Sequence, residues 1–523
     1  MPGGFSRNAV AVAMMCVATC SCEAESTTAP FSRPANMPTS APTSRPAFTL
    51  SRETSFFPGP VRPDGTIDYL AALNAKCDAE VSAGNNAAAL VAQMIEPRAF
   101  MHPDDQQAML DGLGVKPVGP YFVRLLDVAM EQAAAEALAA GSEPAEQRIH
   151  EILDGLLAQQ GQAVGRAWEA KDFPALSAWL DRNAASLAAL QQASRMPMWY
   201  MPLVASEEPA LLYVSAPSYS VLREAAGALA TRASLSIGQG QFEAALGDLS
   251  AIDRLSTLLA QGPSLGEQLY AHTLSRMSDS ARTQLAEALV LSAAQAKAML
   301  ADINARQALP NLVHATDAME RSTALDATMF FMRQDAQELS QTLEVHAVPP
   351  AEAKRAAGRG LQWDRVLREI NGIYDQRADV LGPANYRGRI QRARSFHKTL
   401  MQTEQRLAAT LPATSQDASA ALDVESRLAY GIALPMVSAD LSRAVDVHAQ
   451  TDTAIARAKI ALALAACRAE HGTYPAALTD LPKSLLPQLP PNPYTGEPPV
   501  YKLDGEGYSL EFPTQAPATG SRE

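Results

Sequence analysis

Aromatic side chains make up only 6% of this 523-residue chain. With alanine abundant, that scarcity argues against a β-sandwich and for helices packed closely through small side chains. Histidine is also sparse. The eight, His102, His150, His272, His314, His346, His397, His448 and His471, include no two at a spacing of three or four, no HExxH and none beside a CxxC. A helical zinc site therefore lacks its ligands in the linear sequence, and no metal or cofactor is expected. There is no phosphate-binding P-loop, and the GxG of Gly238 and Gly240 follows a helical pattern instead of a strand. No positive excess exists either: the formal charge is −13, which repels phosphate backbones, so nucleic acid is not an expected partner. The richest basic run, Arg387 to Lys398, reads as a solvated helix face.

Long hydrophobic runs are missing as well. The apolar stretch from Ala9 to Thr19, after Arg7, falls short of the ~20 residues that span a bilayer. It has the length of a signal-peptide core. Val17-Ala18-Thr19-Cys20 resembles the bacterial lipobox, with Cys22 as a second lipidation candidate beside Cys20. Residues 23–60 are rich in Ser, Thr and Pro and cannot bury a core, so they read as a flexible tether. These features predict export, and a periplasmic or outer-membrane-anchored lipoprotein whose membrane contact is the N-terminal anchor alone. Of five cysteines only Cys77 and Cys467 fall in the folded body. Two separate buried thiols are expected, although a disulfide between them is the alternative in an exported protein.

From Thr66 onward the apolar period is helical. The predicted fold is mostly α: an irregular solenoid of helical hairpins closed by a small C-terminal helix and β-hairpin. Composition shifts divide it into a signal segment 1–22, the tether 23–60, helical regions 61–194, 219–345 and 346–445, an aromatic and proline-rich crossover 195–218, a terminal unit 446–513 and a tail 514–523. Gly141 and Ser292 read as helix caps. Gly431 and Pro435 are expected to kink or divide one very long helical stretch. Glu320, Arg321 and Asp326 read as a surface i, i+4 arrangement in preference to a buried network. Gly240 to Leu246 (GQFEAAL) resembles the turn and second helix of a tetratricopeptide repeat, though no regular array of such units surrounds it.

Two candidate sites emerge. The run Met198-Trp199-Tyr200-Met201 is a candidate contact surface if exposed and a packed crossover if buried; its aromatic density favours burial. Glu470, beside His471 at a helix end, is the one carboxylate suggestive of acid chemistry, and a solvated helix terminus is its plainer reading.

The terminal unit carries a phrase in Arg468, Gly472, Tyr474 and Pro475, backed by Leu478 and Leu481. A second follows in Asn492, Pro493, Tyr494, Gly496, Pro498 and Tyr501, then Gly505, Gly507 and Tyr508. Together they resemble the periplasmic domain of the type II secretion major pseudopilin. The same phrases end large helical envelope proteins of bacteria, which this architecture resembles more closely. Here the unit is C-terminal, Asn492 stands in place of an aspartate, and the acidic tail is missing after Tyr508. The resemblance thus implies a helix-plus-hairpin fold, and not fibre assembly or calcium binding. The functional expectation is a non-enzymatic envelope scaffold or binding protein with protein partners. A component of a secretion or pilus-like apparatus and a cell-wall polymer hydrolase are the alternatives.

Overall fold

The computed structural model describes residues 47–514, apart from 79–80, 83, 95–102, 117–118, 120, 215–218, 311, 383, 409–422 and 438–440. The chain is mostly helical, with a two-stranded antiparallel sheet near its C-terminus. The helices are α1 (Tyr69–Asp78), α2 (Ala87–Met94), α3 (Pro103–Leu113), α4 (Leu125–Ala140), α5 (Glu146–Ala163), α6 (Pro174–Arg182), α7 (Ala184–Ala193), α8 (Tyr219–Gly238), α9 (Phe242–Leu259), α10 (Leu265–Glu287) and α11 (Ala293–Ala305). A π-helical turn, Thr316–Glu320, leads into α12 (Arg321–Met332). There follow α13 (Ala336–Val345), α14 (Pro350–Arg359), α15 (Trp363–Leu381), α16 (Tyr386–Ala408), α17 (Val424–Val437) and α18 (Leu441–His471). The strands β1 (Val500–Asp504) and β2 (Gly507–Glu511) close the chain.

The apolar residues gather into two cores that do not follow chain order. One contains α2–α11, the second half of α18 and the β-hairpin. The other contains residues 48–73, α12–α17 and the first turns of α18. Helix α18, about 46 Å long at 1.5 Å per residue, runs from one core into the other. Leu441, Ala444 and Val445 belong to the second lobe, and Ala458 and Ile460 to Cys467 to the first. The stretch from Ile460 to Cys467 is buried on every side. A helix apolar all round must be covered all round, and its alanines let α10 and α11 approach closely.

Local rules account for many ends. Ser292 accepts a hydrogen bond from Gln295 N in a capping box, and Gly141 closes α4 at φ 68°. The tetratricopeptide-like turn joins α8 and α9, which pack against each other. Gly240 holds φ 73° there, while a Cβ on Gly238 would lie 2.0 Å from Trp168 O. Pro435 sits inside α17, and residues 438–440, between α17 and α18, lie outside the described residues. Gly431 lies within α17, where a Cβ would meet the His346 ring at 2.3 Å, so it is a site of close packing.

The terminal unit has the expected shape. Gly472 N donates to Arg468 O at 2.7 Å, and the Arg468 guanidinium lies over the Tyr474 ring and donates to Glu506 O. Tyr474 packs edge-on against Tyr508 at 4.9 Å, and both pack on the first core. The register pairs Tyr501 with Leu510 and Leu503 with Tyr508. Tyr501, Tyr508 and Leu510 therefore share the inward side, while Val500 is exposed. Asn492 is 1% exposed; it donates from Nδ2 to Pro513 O at 2.7 Å and accepts from Tyr494 N. A carboxylate cannot make the first of these bonds, which explains asparagine at this position.

Candidate functional site

Cys20 and Cys22 lie outside the described residues. The run at Met198 is a packed crossover and presents no open contact surface: Trp199, Tyr200 and Met201 are buried and Met198 is half-buried. The reason is a carboxylate beneath it. Glu267, 3% exposed, accepts from Trp199 Nε1 (3.3 Å), Tyr219 Oη (2.8 Å), Ser264 N (3.1 Å) and Ser264 Oγ (2.9 Å). No lysine or arginine among the described residues pairs with it. Burial pushes its pKa up, and the four donors oppose that shift. Asn86 reinforces the crossover, accepting from Tyr200 N and donating to Tyr200 O.

Glu470 sits at the exposed end of α18 and pairs with Lys297 at 2.5 Å. Its carboxyl is held below the usual range by that lysine. An ionised carboxylate already paired in solvent is poorly placed as a general acid. Cys467 is a buried, free thiol.

Charges expected on the surface turn out to be buried. Arg321, 2% exposed, reaches Asp317 (2.7 Å), Asp375 (2.8 Å) and the Asn371 side chain, with its guanidinium 4.4 Å from the Phe56 ring. Asp326 is 1% exposed and accepts from Leu211 N. The surface reading of this segment is corrected because α12 is covered by α15 on one side and by the chain around residue 211 on another. A second ionic group staples α9, α10 and α11. Asp253 accepts from Arg306 at 2.6 Å and pairs with Arg282 at 2.8 Å; Arg282 also pairs with Asp302, and Arg306 with Asp279. Burial raises the Asp279 pKa despite its arginine. Such a group is worth little against an apolar replacement but is costly to break.

Where α18 passes between the two cores its apolar lining gives way to polar residues. On α10, Gln268, His272 and Arg276 recur every fourth residue and so share one face. His272, 2% exposed, faces His448 of α18, with ring centroids 5.3 Å apart. His272 Nδ1 lies 3.1 Å from Thr451 Oγ1. The Thr451 hydroxyl donates to Val447 O, so His272 is the donor, from Nδ1. His448 Nδ1 lies 3.2 Å from Asp452. Arg276 reaches Gln450, and Tyr386 of α16 donates to Asp446 at 2.6 Å and packs edge-on against Tyr494 at 4.8 Å. Burial, with the second imidazole beside it, lowers the His272 pKa to about 4.

This joint is the candidate functional site. It is a polar contact built around a histidine pair where the two lobes join. Among the described residues no group of three His, Cys, Asp or Glu side chains is placed to hold a metal ion. Linear spacing could not reveal the histidine pair, since its members are 176 positions apart (448 minus 272). The available signal was the polar row Gln268, His272 and Arg276 at a spacing of four along α10. Comparison of the chain with protein-family models, curated proteins and solved structures finds no match.

Proposed function

We propose that the protein is an exported helical scaffold of the bacterial envelope, lipid-anchored at Cys20 or Cys22, whose body engages protein partners. One observation carries this reading: residues 48–57, the far end of the stretch 23–60 read as a flexible tether, are not free but are built into the second lobe as a docked strap. Thr49 donates to Asp364 from its backbone N (2.7 Å) and its hydroxyl (2.9 Å). Asn371 on α15 donates to Glu53 O and Thr54 O. Tyr69 Oη donates to Ser55 O, and Phe56 lies against Arg321. A tether positions a body only if its far end is fixed, and polar contacts of this kind, two of them buried, fix it.

The two-lobed body supports the same reading. Helix α18 contributes to both cores and ties them together, which suits a protein that holds others in place. No helix of the described residues is long and apolar enough to cross a membrane. Cross-linking and co-purification of the full chain from solubilised envelopes tests the proposal. Envelope proteins recovered in defined stoichiometry are expected. Secretion-apparatus components as the dominant partners would replace the scaffold by the apparatus reading. Degradation of wall polymer by the purified chain, abolished by a single carboxylate substitution, would overturn it.

A further inference from the structure

Among the large apolar side chains that the described residues leave exposed, Met130, Leu138 and Leu157 share one hairpin, α4–α5. Leu138 is 82% exposed, far more than a leucine held in any core. The inward row of α4 is Leu125, Ala129, Ala133 and Ala137, and Ile152 and Leu156 face it from α5. Met130, Ala134 and Leu138 each stand one residue beyond an inward position, as Leu157 does on α5. One residue turns the side chain by about 100° around a right-handed helix. In an antiparallel pair that rotation carries both rows to the same flank.

The opposite flank, one residue before the inward rows, is closed by polar bonds. Gln132 donates to Glu136, and Arg148 donates to Glu136 (2.8 Å) and Glu151 (3.2 Å). The hairpin therefore has an ionic flank satisfied within itself and an apolar flank left exposed among the described residues. Between Leu125 and Ala163 there are seven carboxylates and one arginine, Arg148, which the ionic flank uses. Glu131 is held by Arg182 of α6. The apolar flank thus lies in an acidic field with no cation of the hairpin left to answer it, and a second copy of the chain would bring like charge against like.

We propose that this flank docks an amphipathic helix of a partner protein, with an apolar stripe seated along Met130, Ala134, Leu138 and Leu157 and Lys or Arg residues at its edges. Ala134, between two longer side chains, leaves the hollow that a partner's large side chain fills, as in other helix-in-groove contacts. The inference rests on the scaffold reading and names the class of partner. Its test does not involve the anchor, so its failure leaves anchoring untouched.

The test measures binding to the full chain of a short labelled model helix with leucines on one face and lysines on the other, by fluorescence anisotropy. Its counterpart with glutamates for lysines is the comparison. The lysine peptide is expected to bind, more weakly as salt rises, and the glutamate peptide is not. Leu138→Gln combined with Leu157→Gln, both at exposed positions, is expected to weaken binding roughly tenfold or more, about 1.4 kcal/mol, with an unchanged melting temperature. Leu503→Gln, exposed on the β-hairpin, is expected to leave binding unaltered. Equal binding by all variants, or no binding of either peptide, overturns the proposal. So does self-association of the chain that Leu138→Gln abolishes, which would make a second copy the occupant.

Discussion

His272 and His448 meet across the joint between the lobes, one ring buried and the other at the edge, 5.3 Å apart. His272 is held neutral, with its pKa lowered to about 4 from an ordinary 6.5, chiefly by burial. His346, buried against Phe331, is lowered to about 4 by burial alone. An unfolded chain protonates these rings at pH values where the folded chain does not. Their stabilising effect is therefore complete above pH 6.5 and is lost as pH falls from 6.5 toward 4, by roughly 3 kcal/mol per histidine at the lower end. Denaturant melts across that range should show the loss, and His272→Gln should reduce its slope. An identical slope in that variant would remove His272 from the account.

The Glu267 latch predicts a second outcome. Glu267→Ala deprives Trp199 Nε1 and Tyr219 Oη of their acceptor and removes the cap of α10. A cost of about 2–4 kcal/mol is expected in urea unfolding, since each orphaned buried donor costs 1–3 kcal/mol. Gly262→Ala should also destabilise, because its Cβ would lie 2.2 Å from the Glu267 carboxyl carbon.

Helix starts, stops and the β-hairpin were legible because their signals are local. Ser292, Gly141 and the Gly472-Thr473-Tyr474-Pro475 stop act within a turn of their own positions. Partner choice was not legible. An apolar stripe tells a helix which side to bury and not against what, so nothing in the linear chain linked Thr49 to Asp364 or placed residues 48–73 with α12–α17. The buried arginines were missed for the same reason. Arg306 and Asp253 are 53 positions apart (306 minus 253) and meet only when α11 packs against α9. Glu320 and Arg321 look like any solvated pair until α15 covers them.

The ionic staple predicts strong non-additivity. Asp253 serves both Arg282 and Arg306, so Asp253→Ala should cost about 3–5 kcal/mol by leaving two buried guanidinium groups short of charge. Adding Arg282→Met to Asp253→Ala should cost less than the sum of the two single changes, read as a double-mutant cycle of denaturation midpoints. Additive effects would show the residues to be independent.

Asn492→Asp tests the fit of the terminal turn. The change removes the donor to Pro513 O and buries a carboxylate beside that carbonyl. A loss of about 1–3 kcal/mol is expected, with faster proteolysis after Phe512 and little effect on the second lobe.

Release of the strap bears on the tether. Asn371→Ala removes the donor to Glu53 O and Thr54 O, and should render residues 48–57 sensitive to limited proteolysis while the helical signal in circular dichroism persists. Unchanged resistance would show that the strap is held by other contacts.

The most direct measurement is metabolic labelling with palmitate of the full chain expressed in a Gram-negative bacterium, followed by envelope fractionation. The account predicts label on the wild-type protein and its recovery with membranes. It also predicts loss of label, and release of the body to the soluble fraction, when Cys20→Ser and Cys22→Ser are combined. Label and membrane recovery that survive the double substitution would contradict it.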